Sequence, residues 1–321
     1  SWSFAKKGFN LKFPKIDNDG KYNLCDMGKS RKWALVANHY DRSLLRNTVA
    51  NEVGDIFDNL TFTPNDAAVD LYVNGPYRGS YILIERVNFE GAGLDYPELK
   101  AEDNPADISG SYLFEWDFRK GADNNFTAGS RGWVGLKEPE DEDYTSAFGN
   151  YANNALDRAD RDLFDGSIND DDWKQWIDID TAVDYYLAME YLKPVDGNMW
   201  ASVYMYKPFG GKIEFGPLWD FDLAMGSADR AGNVVSPQSW YLRNPINISA
   251  RQTPETWFNR LNEIPDFRNA ARARWNQIEG ELDGLESYIA SKRSLIADSA
   301  AENYKKWSHG SKISKYQVIN S

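Results

Sequence analysis

With 321 residues and 42% hydrophobic content, the chain can build one large domain or two lobes that share a site. Its 36 Lys and Arg stand against 49 Asp and Glu, and the net charge of −13 repels nucleic acid and disfavours anionic membranes. The single cysteine, Cys25, excludes an intrachain disulfide and a cysteine-rich zinc site, and no apolar run approaches the ~18–20 residues of a membrane span.

Phe9, Leu11 and Phe13 alternate with Asn10, Lys12 and Pro14, the period-2 pattern of a half-buried strand. Asn18-Asp19-Gly20 follows as a turn. Lys12, a cation in mid-strand, either faces solvent or holds phosphates opposite it. Lys32-Trp33-Ala34-Leu35-Val36 predicts another strand, and Asp41 is the expected N-cap of a helix with Leu44, Leu45, Val49, Val53, Ile56 and Phe57 on its apolar side. Glu52 lies on or beside that face. It either reaches water or needs a partner, because burying a lone carboxylate is expensive; Lys12, Lys32 and Arg46 are the candidates. Val69, Leu71 and Val73, then Tyr81-Ile82-Leu83-Ile84, flank a Gly/Pro loop as a hairpin. Its second strand is apolar on both faces and therefore central. Glu85-Arg86-Val87 ends that strand where the chain leaves a first lobe.

Residues 88–145 are rich in Gly, Asp, Asn and Pro, with strands expected at 112–116 and 133–136, and the acidic run 138–143 reads as a solvated loop. A helix is expected over 147–163, a short one near Trp173 and Trp176, and a third, capped by Asp180, that delivers the chain to Asp196. From Tyr191 to Asp222, two apolar runs flank Gly210-Gly211, which predicts a hairpin. A polar loop to about residue 250, helices over 254–306 and a frayed tail at 308–321 complete the chain.

The hairpin is the centre of the functional argument. Antiparallel strands return to their starting point, so Asp196 and Asn198 at one end meet Asp220 and Asp222 at the other. Such oxygen ligands suit a hard cation such as Mg²⁺. Phosphoryl transfer needs cations on the phosphates and a carboxylate near the acceptor hydroxyl, and the order here (helix, Asp196, Asn198, hairpin, Asp220) follows that of protein kinases. Asp-Gly-Asn is also a common turn. A glycosidase pair, Glu190 with Asp196, is the competing chemistry, and it leaves Asp220 and Asp222 unexplained. No Walker lysine or dinucleotide fingerprint occurs.

Five blocks in order resemble the CotH family, the spore-coat-type atypical protein kinases: Lys6-Lys7-Gly8-Phe9-Asn10-Leu11-Lys12-Phe13; the run from Gly28 through Trp33 to Asn47; Leu71 to Glu85; Val195-Asp196-Gly197-Asn198; and Phe215 to Asp222. The resemblance covers most of the sequence. It implies an α+β, two-lobed protein-kinase-like fold, with a mainly antiparallel sheet and one helix in residues 1–87, and a mainly helical lobe in 88–321 that carries catalytic segments at 191–226. It implies transfer of the ATP γ-phosphate to Ser or Thr of a protein substrate with Mg²⁺ or Mn²⁺. By that analogy Asp196 is the catalytic aspartate, Asp220 the chief metal ligand, and Asn198 and Asp222 assist with metal. Glu85 sits at the hinge near the adenine, Lys12 and then Lys32 contact phosphate, and Arg46 and Glu52 lie on the helix that positions the lysine. Relatives occur in secreted multidomain proteins, including those of polysaccharide-degrading bacteria, and at cell or spore surfaces. The resemblance therefore also implies other domains of a larger secreted protein as partners, and no nucleic acid. In that family a Gly-containing segment precedes the opening strand, whereas the sequence here begins at Ser1-Trp2. The alternative expectation is accordingly a kinase-like binding or adhesion module without chemistry.

Overall fold

The computed structural model describes residues 4–307 apart from 92, 95, 103–104, 123, 130, 168–169, 228–237, 239, 244–246, 249–250 and 253–254. In chain order these residues form β1 (Phe9–Lys12), β2 (Tyr22–Asn23), β3 (Lys29–Ser30), β4 (Lys32–Val36), α1 (Arg46–Ile56), β5 (Asp66–Tyr72), β6 (Tyr77–Glu85), β7 (Tyr112–Trp116), β8 (Asn125–Thr127), β9 (Trp133–Glu138), α2 (Ser146–Phe164), α3 (Ile179–Leu192), β10 (Val203–Lys207) and β11 (Glu214–Phe215). The helices α4 (Trp257–Leu261), α5 (Pro265–Ile278), α6 (Leu285–Leu295) and α7 (Ala297–Lys306) follow. The class is α+β, and the sheets are antiparallel. The expected tail at 308–321 and most of the loop at 228–250 lie outside the described residues.

The first sheet has the order β1-β4-β6-β5. The apolar run in β6 is central as expected, because β4 and β5 cover both of its edges. Strand alternation divides its side chains. Trp33, Leu35, Tyr81 and Leu83 form one face, covered by Met27 from the β2–β3 turn. Ala34, Ile82 and Ile84 form the other, and Trp219 packs against them.

The second sheet has the order β11-β10-β7-β9-β8. Tyr112, Phe114, Trp116, Val203 and Met205 turn one face into the main core, where α2, α3 and α4 cover it. Leu113, Tyr204 and Tyr206 turn the opposite face toward Phe62, Phe89 and Leu94, and Trp219 packs there too. Trp219 therefore touches both sheets, with its ring edge-on to Tyr204 at 6.1 Å. The residue just before Asp220 is thus a shared wedge between the two sheets.

The C-terminal helices return to the first sheet. The Ser80 amide donates to buried Asn303 Oδ1 (3.2 Å), and Trp307 Nε1 donates to the Arg78 carbonyl (2.7 Å). Truncating Asn303 leaves the Ser80 amide without its acceptor in a buried setting, which costs about 1–3 kcal/mol. Asn303→Ala is expected to lower the urea midpoint with an unchanged m-value; an unchanged midpoint would show that this docking adds nothing to stability.

Two helix starts differ from expectation. Helix α1 begins at Arg46, not after Asp41, because Leu44 takes a left-handed φ of 60° that no helix can pass through. Asp41 still caps it, from five residues ahead: Oδ2 accepts the Arg46 amide and Oδ1 the Ser43 amide, both at 2.8 Å. Helix α3 begins at Ile179, and its cap is Asp178, which accepts the Thr181 amide at 2.9 Å, rather than Asp180.

Candidate active site

The hairpin forms: Met205 pairs with Phe215 and Tyr206 with Glu214, and Gly210 supplies a left-handed turn residue at φ 59°. The segments on either side of it are joined by backbone bonds. Val195 N–H donates to the Leu223 carbonyl and Met225 N–H to the Leu192 carbonyl, each at 2.8 Å. These two bonds bring the residue before Asp196 against the residue after Asp222.

The acids are close enough to repel one another. Asp220 occupies the left-handed region at φ 65°, which Asp tolerates better than most side chains. The residue is exposed on one side and crowded by protein on the others, which partly desolvates its carboxyl. That desolvation, and then the charge of Asp196, push its pKa up, against the pull of Arg119. Asp222 is raised well above the usual carboxylate range by burial and then by the charges of Asp220, Asp41 and Asp196. A site that raises the cost of its own ionised acids is one that a cation would relieve. Ser202 Oγ donates to Asp220 Oδ2 at 3.4 Å, adding a hydroxyl to the oxygen set.

Asn198 is turned elsewhere. It is buried, and its Oδ1 accepts from Thr256 Oγ, the capping residue of α4, at 2.8 Å. The amide of the Asp-Gly-Asn turn therefore ties the loop to α4, while Ser202 is the polar residue that touches Asp220.

Helix α1 grips the acidic segment rather than a lysine. Asn47 Oδ1 accepts the Phe221 amide at 2.8 Å, and Arg46 Nε donates to the Ala224 carbonyl at 2.9 Å. The Arg46 guanidinium also pairs with fully buried Asp41. Glu52 does not partner Lys12, Lys32 or Arg46; it meets the Tyr288 hydroxyl on α6. Glu85 is buried at the end of β6, paired across the ladder with Trp33 and packed under the turn at Gly91. Glu190 is also buried: its two oxygens accept the amides of Tyr241 (2.7 Å) and Leu242 (2.6 Å), so it is spent on holding a turn and is no partner to Asp196 in a glycosidase pair.

Asp117 and Arg119 carried no role in the sequence and lie beside the acids. Arg119 makes a two-point pair with Asp117 (Nε to Oδ1 2.9 Å, Nη2 to Oδ2 2.7 Å), which holds its pKa above the usual value, helped by the charges of Asp220 and Asp196. The same loop is pinned to the turn that follows Asp196, with Phe118 and Trp200 stacked at 4.6 Å. Arg119 is half exposed, so it is a cation available at the edge of the acid cluster.

Lys12 and Lys32 are cross-strand partners. Both reach Glu140, Lys12 at 3.2 Å and Lys32 at 2.7 Å. Lys32, only 5% exposed, also pairs with Glu90 (3.1 Å) and Glu138 (3.4 Å), whereas Lys12 is 45% exposed. The start of the acidic run is thus not a solvated loop, since Glu138 and Glu140 are the counter-ions of a buried lysine. Burial alone would lower Lys32, but its carboxylates hold it above the usual value. Glu90 is pulled down to about 2 against its burial, chiefly by Lys32. Glu138 is driven by burial up to about 7, against the pull of Lys32. A cavity of about 380 Å³ opens here, and Arg86, Asn88, Lys137, Asp141 and Glu142 add to its polar wall.

The Glu138 shift fixes a pH dependence. Its folded pKa lies above its unfolded value, so its contribution to stability is fully present below about 4.5 and is lost as pH rises toward about 7. The fall in stability between those values is expected to be shallower in Glu138→Gln. Urea midpoints across that range check it, and parallel curves for parent and variant would contradict it.

Among the described residues no group of three or more His, Cys, Asp or Glu forms a ready-made metal cluster. The acids fit a hard cation nonetheless, because Mg²⁺ is commonly held by one or two carboxylates plus waters and substrate phosphates. A comparison with curated proteins finds none that matches. The family model described as CotH kinase protein matches residues 1–319, nearly the whole chain. With Asp196 and Asp220 drawn together behind Trp219, and α1 gripping the segment between them and Met225, the chain belongs to the CotH kinase protein family.

Proposed function

We propose that the chain is a two-lobed, metal-dependent protein kinase that transfers the γ-phosphoryl group of ATP to a Ser or Thr hydroxyl of a protein at a cell or spore surface. The observation that carries this reading is the pair of backbone bonds between 192–195 and 223–225, which draws Asp196 toward Asp220 and Asp222. Asp196, half-buried and beside the acid pair, accepts the proton of the attacking hydroxyl. Asp220, with Asp222 and the Ser202 hydroxyl, holds Mg²⁺ or Mn²⁺. The bound cation supplies neutralisation of phosphate charge. Arg119, oriented by Asp117, adds a positive charge at the same edge, and Lys12 with Lys32 marks the phosphate side of the first sheet.

Among the described residues no helix is long and apolar enough to cross a membrane. The reading is tested by labelled phosphate transfer from ATP in Mg²⁺, with Asp196→Ala and Asp220→Ala as controls. Full activity in both variants would overturn it.

A second reading, a kinase-like module that binds a partner without chemistry, draws support from Asn198, whose amide oxygen is taken by Thr256. The two readings part on nucleotide binding. A ligand bound only by the folded state raises the melting temperature, so the kinase reading expects a shift with ATP and Mn²⁺, and the module reading expects none.

A further inference from the structure

A larger cavity, about 510 Å³, opens between the end of α3, helix α5 and the turn at 240–243. Its volume is in the range of small-molecule sites, and its charge runs against that of the chain. Lys193, Arg243, Arg268 and Arg272 line it, in a protein of net charge −13. Among the described lining residues the one acid, Glu190, is already committed to the amides of Tyr241 and Leu242. A concave wall lined by one sign of charge concentrates ligands of the opposite sign.

Arg268 and Arg272 have no carboxylate partner among the described residues. Arg268 donates to the carbonyls of Asn262 (2.9 Å) and Glu263 (2.7 Å) through Nη1 alone, which leaves the rest of its fork. Arg243 lies over the Trp240 ring at 4.5 Å, makes a long bond of 3.4 Å to Asn262 Oδ1 and also meets the Tyr186 hydroxyl. Arg272 is exposed and, among the described residues, has no ion-pair or hydrogen-bond partner. Beside them stand aromatic faces: Trp240 is 49% exposed, and Trp275 packs near Tyr191 at 6.2 Å. Forked donors suit carboxylate and phosphate oxygens, and exposed indole rings suit a flat apolar body.

We infer that this cavity binds a small organic anion carried on a ring, with its acid group among Arg243, Arg268 and Arg272 and its ring against Trp240 or Trp275. The chemistry fits an aryl phosphate and a sugar acid alike, and the two are separated by experiment. Tyr241 is left intact because its hydroxyl donates to the Val195 carbonyl (2.8 Å) and so supports the catalytic turn. Calorimetry and tryptophan emission are followed with phenyl phosphate, glucuronate and inorganic phosphate. At least one ring-bearing anion is expected to saturate the full chain in the millimolar range or tighter, tenfold or more tighter than inorganic phosphate, and more weakly at high salt. Arg272→Ala and Trp240→Ala, both at exposed positions, are each expected to weaken it tenfold or more without lowering the melting temperature. Tighter phenyl phosphate assigns the aryl phosphate class, and tighter glucuronate the sugar acid class. Absence of saturation by either, or affinities unchanged in both variants, would overturn the inference.

Discussion

Asp220→Asn is expected to lower phosphoryl transfer by about 10²–10³-fold or more while leaving the fold as stable as the parent, or more stable. The two effects have one cause. Asp220 sits beside Asp196 and Asp222, and the pKa of Asp220 and of Asp222 is pushed upward. A raised carboxyl pKa means that the ionised form is disfavoured in the folded chain at neutral pH. The amide keeps the shape and removes one repelling charge, so the metal-free variant loses function and gains or holds its melting temperature. Stability and activity moving in opposite directions is the mark of a site strained for function. Retained transfer in Asp220→Asn would remove the residue from the metal site, and a lowered melting temperature would contradict the repulsion argument.

Asp41→Ala is expected to cost about 3–5 kcal/mol, the range for a buried ion pair broken on one side. Asp41 is fully buried and accepts from the amides of Ser43 and Arg46, the Ser43 hydroxyl (2.7 Å) and the Arg46 guanidinium. Its removal leaves Arg46 without its counter-ion at the very point where Arg46 holds the Ala224 carbonyl. The loss should therefore reach the acid segment: transfer falls further than the unfolded fraction accounts for when it is assayed well below the melting temperature. Asp41→Asn, which keeps one acceptor, is expected to lie between parent and Ala. Denaturant titration with parallel rate measurement checks both. A cost under about 1 kcal/mol would place Asp41 among ordinary caps.

Much of the fold was legible because the chain patterns its strands cleanly. The short apolar run Trp33–Val36 and the double-sided run at Tyr81–Ile84 each name a strand, and the second also names its central place. The hairpin from Asp196 to Asp222 was legible for the same reason, with Gly210 at its turn. What escaped was set by long-range partners. Glu138 and Glu140 read as solvated charge because nothing near them in sequence reveals Lys32, more than a hundred residues earlier. Asn47 has the look of any polar helix residue, and only the folded chain brings it to the Phe221 amide. Arg119 and Asp117 sit in a stretch of Gly, Asp and Asn without periodicity, and their signal was only an Asp and an Arg two apart. Asn198 carries a second contact that the motif does not show: its Asp-Gly-Asn setting suggested metal, and in the fold its amide oxygen also accepts from Thr256, the cap of α4.

Asp196 and Asp220 are expected to act as two sides of one phosphoryl-transfer site. The most direct test is a crystal structure of the chain grown with Mn²⁺ and a non-hydrolysable ATP analogue, with the metal located by its anomalous signal. The expected result is a Mn²⁺ peak on the Asp220 carboxylate, bridged to a phosphate of the analogue, with Asp196 facing the terminal phosphorus. An analogue bound with no metal at Asp220, or a metal and nucleotide seated elsewhere, would contradict it.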